Sequence, residues 1–191
     1  MNIHNSTNCY GIVAILLHWC MAAGILGLFV LGWWMVKLDY YDAWYHKAPD
    51  IHQAIGMALF GMLLVRQVWT WINVKPDITA QRWERNTAIA VHRLFYLLMF
   101  IIMISGYLIP TAEGESFDIL GWFSVPALWH LTPAQADMDG NIHRWAAWSI
   151  MGLAGFHAAA ALKHHFVNRD NTLLRMMGMT QMSTHERATS S

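Results

Sequence analysis

The chain has 191 residues, of which 56% are hydrophobic and only 13% are charged. An ordinary soluble domain carries about 25% charged residues, so this composition argues against one. The formal net charge is zero at pH 7, which offers no electrostatic basis for nucleic-acid binding. The composition therefore predicts a protein of the lipid bilayer.

Four apolar segments are long enough to cross a hydrocarbon layer of about 30 Å, which takes about 20 helical residues. Their predicted bounds, in chain order, are 11–36, 51–72, 87–109 and 142–165. The connections between them allow consecutive helices to be antiparallel neighbours. We therefore predict an all-α membrane protein, a four-helix transmembrane up-and-down bundle. It forms a single domain of residues 1–191 with a cytoplasmic tail at 166–191.

Positively charged residues indicate which connections face the cytoplasm. The second connection and the tail hold most of them, namely Lys75, Arg82, Arg85, Arg169, Arg175 and Arg187. The first connection has only Lys37 and Lys47, and the third is acidic, with Glu113, Glu115, Asp118, Asp137 and Asp139. Both termini are therefore predicted to be cytoplasmic, and the first and third connections to lie outside.

Four histidines fall at two depths in this topology. His18 lies early in the first segment and His157 near the end of the fourth, which places both toward the cytoplasm. His52 and His143 lie at the starts of the second and fourth segments, which places both toward the outside. The fourteen residues between His143 and His157 put both on one helix face, roughly 21 Å apart. Two levels with two imidazoles each are expected.

A polar side chain inside a span is costly and indicates a function. Two imidazoles from facing helices are a ligand set for haem iron, whereas a single histidine serves equally well as a hydrogen-bonding group between helices. Arg66 lies at the inner level, where it is expected to bind a haem propionate or to extend to the interface. Arg144 is the corresponding candidate at the outer level.

The four histidines, the position of Arg66 and the closing segment HAAAALKHHFVNRDNTLLRMM, from His157 to Met177, resemble the bacterial cytochrome b561 family. That family is related to the cytochrome b subunits of nickel-iron hydrogenases and formate dehydrogenases, and the resemblance covers nearly the whole chain. It implies a bacterial inner-membrane protein with two b-type haems between its helices. Residues matching His18 and His157 would ligate one haem, and those matching His52 and His143 the other. It also implies electron exchange with ubiquinone, and some members oxidise superoxide at the outer face.

Three further residues are candidates for a quinone site at the cytoplasmic side. His164 lies seven residues after His157, and Lys163 adjoins it. Because quinone reduction consumes protons, a titratable imidazole there is a candidate proton donor, although it would also serve as an interfacial anchor. His92, in the third segment, is expected to contact quinone or a propionate, or to replace one haem ligand.

The resulting hypothesis is electron transfer from a periplasmic donor through the outer and then the inner histidine pair to quinone. No nucleophile or general-base triad is present, so no side chain is assigned a catalytic role, and enzyme activity as a donor:quinone oxidoreductase stays open. Superoxide is one candidate donor, but the acidic outer connections repel an anion. A protein donor with a basic face, or a quinol, fits the outer surface equally well.

Two other classes of function remain open. The chain could be the haem-bearing anchor of a multi-subunit dehydrogenase or hydrogenase. Association with further copies of itself, as a homo-oligomer, is also open. The third connection, with Trp122, Phe123, Pro126 and Trp129, suits either subunit docking or a lid over the outer level. In the last alternative the histidines bind a non-haem metal or none, as in a transporter or a structural membrane protein.

Overall fold

In the computed structural model of the chain, residues 2–7, 9–76 and 81–179 are described, and the end of the predicted tail, with Arg187, lies outside these ranges. The long helices are α1 (Ile12–Met35), α2 (Lys47–Ile72), α3 (Arg82–Leu108) and α4 (Pro133–Lys163). Between α3 and α4 lie two short strands, β1 (Phe117–Ile119) and β2 (Phe123–Val125). A π-helix (His164–Asn168) and a short helix α5 (Thr172–Met176) follow α4.

All four long helices are long and apolar enough to cross a membrane, as the sequence predicted. Helix α1 contains no charged residue, and its side chains remain largely exposed despite their apolar character. Large exposed hydrophobic side chains are found along every long helix. An apolar surface of this extent requires lipid around it, because its exposure to water would be unfavourable in free energy. The chain is therefore a multi-pass helical membrane protein.

The helices pack as two antiparallel hairpins. Helix α1 packs along α2, and α3 packs along α4, whereas α4 approaches the backbones of α1 and α2 at few points within the described ranges. Close packing in the first hairpin depends on Gly24, where an added Cβ would lie 2.8 Å from the side chain of Leu59. A gap between the hairpins is thus bridged mainly by side chains and by the contact of α2 with α3.

A small apolar core connects the two hairpins at mid-height. Its buried members, from all four long helices, are Met21, Leu59, Leu63, Met99 and Ile150. Ile150 lies halfway between His143 and His157 on α4, so this core separates the two predicted histidine levels. Burial of such side chains contributes about 1.5 to 3 kcal/mol each relative to water.

Two ends of the bundle can be distinguished by their contacts. The terminal end, as we call it, contains residues 2–7, 9 and 10, the start of α1, the end of α2, the start of α3 and the end of α4. There the Asn5 backbone N–H donates to Asn73 Oδ1 at 3.1 Å, and the Trp19 indole N–H donates to the Met176 carbonyl at 2.8 Å. The loop end contains residues 36–46 and 109–132.

Helices α2, α3 and α4 begin before the predicted apolar segments, whereas α1 lies within its predicted bounds. Helix α4 begins at Pro133 rather than near residue 142, because Thr132 and Gln135 form a capping box and proline suits the first helical position. The β-hairpin and the π-helix were not predicted. Strand β1 contacts α2, and Phe117 and Asp118 line one pocket with Asp50 and Gln53, so the hairpin lies beside the start of α2 at the loop end.

Candidate functional site

At the loop end, the rings of His52 and His143 face each other across the gap between the hairpins. Their centroids are 6.2 Å apart, with an interplanar angle of 67°. Each ring lies against a glycine of the neighbouring helix in its own hairpin. An added Cβ at Gly32 would lie 3.2 Å from His52 Cε1, and one at Gly106 would lie 3.1 Å from His143 Cε1. The two rings can occupy these positions because the glycines have no Cβ atom there.

Hydrogen bonds orient the His143 ring. Its Nδ1 lies 3.1 Å from the Ile102 carbonyl oxygen and 3.1 Å from Ser105 Oγ. The Ser105 hydroxyl donates to the Ile101 carbonyl at 2.7 Å, so its oxygen is available to accept. Because both neighbours accept, the proton belongs on Nδ1, which leaves the Nε2 lone pair free for a metal. On the partner ring, His52 Nδ1 is buried and has no hydrogen-bond partner among the described residues.

At the terminal end, His18 and His157 form a second pair. Their ring centroids are 6.5 Å apart, with an interplanar angle of 63°. His92 also belongs to this level, since its ring centroid is 5.6 Å from that of His157. The structure thus brings together the predicted pairs and adds His92 beside the inner one.

The spacing of both pairs suits two imidazoles on a single metal. A metal lies about 2 Å from each coordinating ring nitrogen, and the nitrogen about 1 Å from the ring centre, so the two centres are expected about 6 Å apart. The observed values are 6.2 and 6.5 Å. In the described ranges, no group of three or more His, Cys, Asp or Glu side chains is placed for one metal ion. Each pair thus fits bis-imidazole ligation of one haem iron.

Arg66 lies at the level of the inner pair, as predicted. Its Nε donates to the Tyr96 hydroxyl at 3.3 Å, and its charge acts on His18 and His92. No carboxylate of the described part of the chain lies within ion-pair distance of it. Burial raises the pKa of nearby Tyr10, while the charges of Arg175 and Arg66 oppose the rise. This region is therefore positive and suits an anionic group.

Arg144 occupies a different environment at the loop end. Its guanidinium donates to Asn141 Oδ1 at 2.9 Å and lies 5.8 Å from the Trp145 ring centre. The side chain is exposed, and these contacts bind it within its own helix. Its predicted role at an outer propionate thus has weaker support than that of Arg66.

The predicted quinone residues lie at the terminal end, where α4 passes into the π-helix. Lys163 Nζ lies 3.8 Å from Glu84 of α3, and His164 Nδ1 lies 2.6 Å from Asp170 Oδ2. Sequence reasoning missed Asp170, Tyr96 and Ser105. Tyr96 lies four residues after His92 on α3, a signal that helical periodicity could have supplied. Ser105 reaches His143 only through the packing of α3 against α4. Asp170 reaches His164 only through the π-helix and the turn after it.

Comparisons with known proteins agree with these features. Residues 9–179 match the family described as prokaryotic cytochrome b561. The chain is 45% identical over 180 residues to cytochrome b561 homolog 2 of Escherichia coli K12, covering 93% of this chain and 96% of the relative. It is 29% identical over 178 residues to the "Probable superoxide oxidase CybB" of Yersinia pestis, covering 88% and 95%. It is also 28% identical over 174 residues to cytochrome b562 of Cereibacter sphaeroides, covering 88% and 94%.

Proposed function

Because the chain belongs to the prokaryotic cytochrome b561 family, we propose that it is a di-haem membrane cytochrome of the bacterial inner membrane. It passes electrons from a periplasmic donor to quinone near the cytoplasmic side. The observation that carries the proposal is the presence of two histidine pairs, 6.2 and 6.5 Å between ring centres, at opposite ends of one bundle. In this reading the loop end faces the periplasm and the terminal end the cytoplasm.

Haem, when bound, supplies one-electron redox chemistry that no side chain of the protein provides. The residues that would hold it are His52 and His143 at the loop end, and His18 and His157 at the terminal end. The Ile102 carbonyl and Ser105 fix the His143 ring and its tautomer. Arg66, with Tyr96 as its hydrogen-bond partner, supplies the positive charge that a propionate requires. Met21, Leu63 and Ile150 exclude water between the two levels.

Haem quantification tests the ligand assignment. The wild-type protein is expected to contain two haems per chain, and His18→Ala and His52→Ala one each, because each pair loses a ligand. His46→Ala is the matched control, since His46 is an exposed histidine of the first connection. A chain without a sharp α band on reduction would contradict the proposal. Loss of haem in His92→Ala, with two haems kept in His18→Ala, would overturn the inner pairing.

The acceptor is proposed to bind at the end of α4. His164 follows the inner ligand His157 by two helical turns, or about 10 Å, which places it between the inner pair and the cytoplasm. Ubiquinone in its reduced form carries two protons, so its reduction needs a proton source at this surface. His164 is the proposed proton donor. Lys163 and His92 are the other candidates: Lys163 lies 3.8 Å from Glu84, and the His92 ring lies 5.6 Å from that of His157.

The charges of the loop end indicate the chemical class of the electron donor but not its identity. Lys37 Nζ lies 3.1 Å from the Trp33 ring centre, and the main carboxylates there are Asp39, Asp42, Asp50, Glu113, Glu115, Asp118 and Asp137. This surface favours a cationic donor, whereas the name of the Yersinia relative favours superoxide. Salt dependence separates the two, because screening speeds reduction by an anion and slows reduction by a cationic protein.

A second candidate, the haem-bearing anchor of a larger dehydrogenase, is favoured by one observation. The connection between α3 and α4 carries exposed aromatic residues at the loop end: Trp122, in the turn of the β-hairpin, is 88% exposed, and Trp129, after the hairpin, is 62% exposed. Aromatic side chains are enriched at subunit interfaces. Copurification of a second subunit at a stoichiometric ratio, lost in Trp122→Ser with both haems retained, would support it. Purification of a fully active single chain would contradict it.

A further inference from the structure

The end of α4 changes its hydrogen-bonding pattern at His164. Residues His164–Asn168 form a π-helix, and Arg169 then adopts the left-handed conformation with φ of 55°. The Asp170 backbone N–H donates to the His164 carbonyl at 3.1 Å, which closes the turn. Turns of this width occur at the C-terminal ends of α-helices. Here the turn brings a carboxylate back to an imidazole that the α-helical pattern would have separated.

The carboxylate of Asp170 is held in position from its other side. Its Oδ1 accepts the Thr172 backbone N–H at 2.9 Å, while Oδ2 lies 2.6 Å from His164 Nδ1. Burial raises the pKa of Asp170, but hydrogen bonds from Thr172 and His164 outweigh that effect, so the pKa lies below its ordinary value. Asp170 is therefore an anion at neutral pH. Two groups lie at His164 Nδ1: the Asn168 amide nitrogen at 3.2 Å and the Asp170 carboxylate at 2.6 Å. The carboxylate is the nearer one and can only accept, so it requires the proton on Nδ1 in both the neutral and the charged ring.

We propose that Asp170 is the positioning residue of the quinone site: it fixes the His164 ring with Nδ1–H toward the carboxylate and presents Nε2 as the atom that gives a proton to quinone. The inference rests on the proposed function, because it assumes quinone reduction at this surface. The tautomer follows from the same logic by which a buried aspartate orients a histidine in hydrolytic triads.

Two electrons reach the quinone one at a time from the cytochrome, which is reduced by the periplasmic donor, and each quinone oxygen gains one proton. One of these protons comes from His164 in its doubly protonated form: the Nε2–H bond breaks and an O–H bond to the quinone oxygen forms. The ring is then neutral, and its remaining proton stays on Nδ1, hydrogen-bonded to Asp170. Cytoplasmic water returns a proton to Nε2 and supplies the proton of the other quinone oxygen. The partial exposure of both side chains, 23% and 32%, gives that water access.

Stopped-flow reoxidation tests the proposal on the full holoprotein. Protein reduced and freed of reductant is mixed with a short-chain ubiquinone, and loss of the reduced α band is followed. Asp170→Asn is expected to lower the saturating rate about 10- to 100-fold, because the amide also donates to Nδ1 and selects the wrong tautomer. The half-saturating quinone concentration should change less than about twofold. Asp170→Glu should recover part of the rate, and the exposed Asp137→Asn should behave as wild type.

A double-mutant cycle separates positioning from a structural effect. In a His164→Asn background, Asp170→Asn should have no further effect on the rate, because Asp170 acts through the ring. Multiplying effects would overturn the proposal, as would an unchanged rate in Asp170→Asn. A wild-type protein that ubiquinone does not reoxidise would reject the proposed acceptor itself. Independently of turnover, ¹⁵N spectra of the reduced protein should show, besides the signal of His143, a histidine with a protonated Nδ1 whose signal disappears in His164→Asn and shifts in Asp170→Asn.

Discussion

Gly106 offers a direct test of how the outer level is built, because it touches the ring of His143. In Gly106→Ala, the added Cβ would lie 3.1 Å from His143 Cε1 and 3.4 Å from Nδ1. Ordinary contact between carbon atoms is about 3.5 to 4.0 Å, so the ring must move by about half an ångström. Its hydrogen bond to the Ile102 carbonyl, now 3.1 Å, then lengthens or breaks.

The magnitude follows from the two effects that the substitution combines. Alanine gains about 1 kcal/mol of helix propensity over glycine, which acts on α3 itself. A weakened hydrogen bond to a ligand histidine typically costs 10- to 100-fold in metal affinity, or about 1.4 to 2.8 kcal/mol. We therefore expect Gly106→Ala to fold as well as wild type while releasing one haem about 10 to 100 times faster.

The assay is transfer of haem to an excess of apomyoglobin, followed in the visible spectrum. Wild type should lose its two haems in two phases, and only one phase should accelerate in Gly106→Ala. Gly152→Ala is the matched control, because it makes the same change on α4 with no atom within 4 Å of the new Cβ. Equal release rates in Gly106→Ala and Gly152→Ala would refute the reasoning.

Three further expectations concern the terminal end. Arg66→Leu should lower the midpoint potential of one haem by about 70 mV. A unit charge about 10 Å away, at an effective dielectric of about 20, contributes about 1.7 kcal/mol. A potentiometric titration measures both potentials, and that of the other haem should stay unchanged. The depressed pKa of Asp170 means that its contacts stabilise the fold above the unfolded-state pKa of about 3.9 and are lost as pH falls through the lower folded value. Hydrogen exchange, corrected for intrinsic rates, should therefore show protection of the Thr172 amide at pH 5 that disappears only below about pH 4; loss already at pH 5 would contradict this. Glu84→Gln should change the free energy of unfolding by less than about 1 kcal/mol, because its partner Lys163 is 52% exposed, and thermal denaturation in detergent would detect a larger effect.

The sequence was sufficient to predict the four helices and both histidine pairs. Apolar length identifies a spanning helix without any knowledge of its neighbours. Because consecutive helices alternate in direction, a residue near the start of α1 lies level with a residue near the end of the antiparallel α4. The predicted proximity of His18 and His157 follows from this. Depth along the membrane is thus predictable from helical rise and topology alone.

Rotation of a helix about its axis is much harder to predict, and His92 shows why. Its depth was predicted, but its approach to within 5.6 Å of His157 depends on how α3 packs against α4. That packing depends on close contacts such as the one between Gly106 and the His143 ring, which cannot be inferred from spacing. The same limit hid Asp170, since neither the π-helix nor the left-handed Arg169 follows from residue propensities.

The two levels differ in their charges, and this difference bears on the direction of electron movement. At the terminal end, Arg66 acts on His18 without a carboxylate partner among the described residues, and a nearby positive charge stabilises the reduced form of a redox centre. At the loop end, Asp50 and Asp118 line a cavity of about 320 Å³ beside the start of α2. Asp50 precedes His52 by two residues. Negative charge there stabilises the oxidised form. The potential is therefore expected to rise from the loop end to the terminal end, which drives electrons toward His164 and the proposed quinone site.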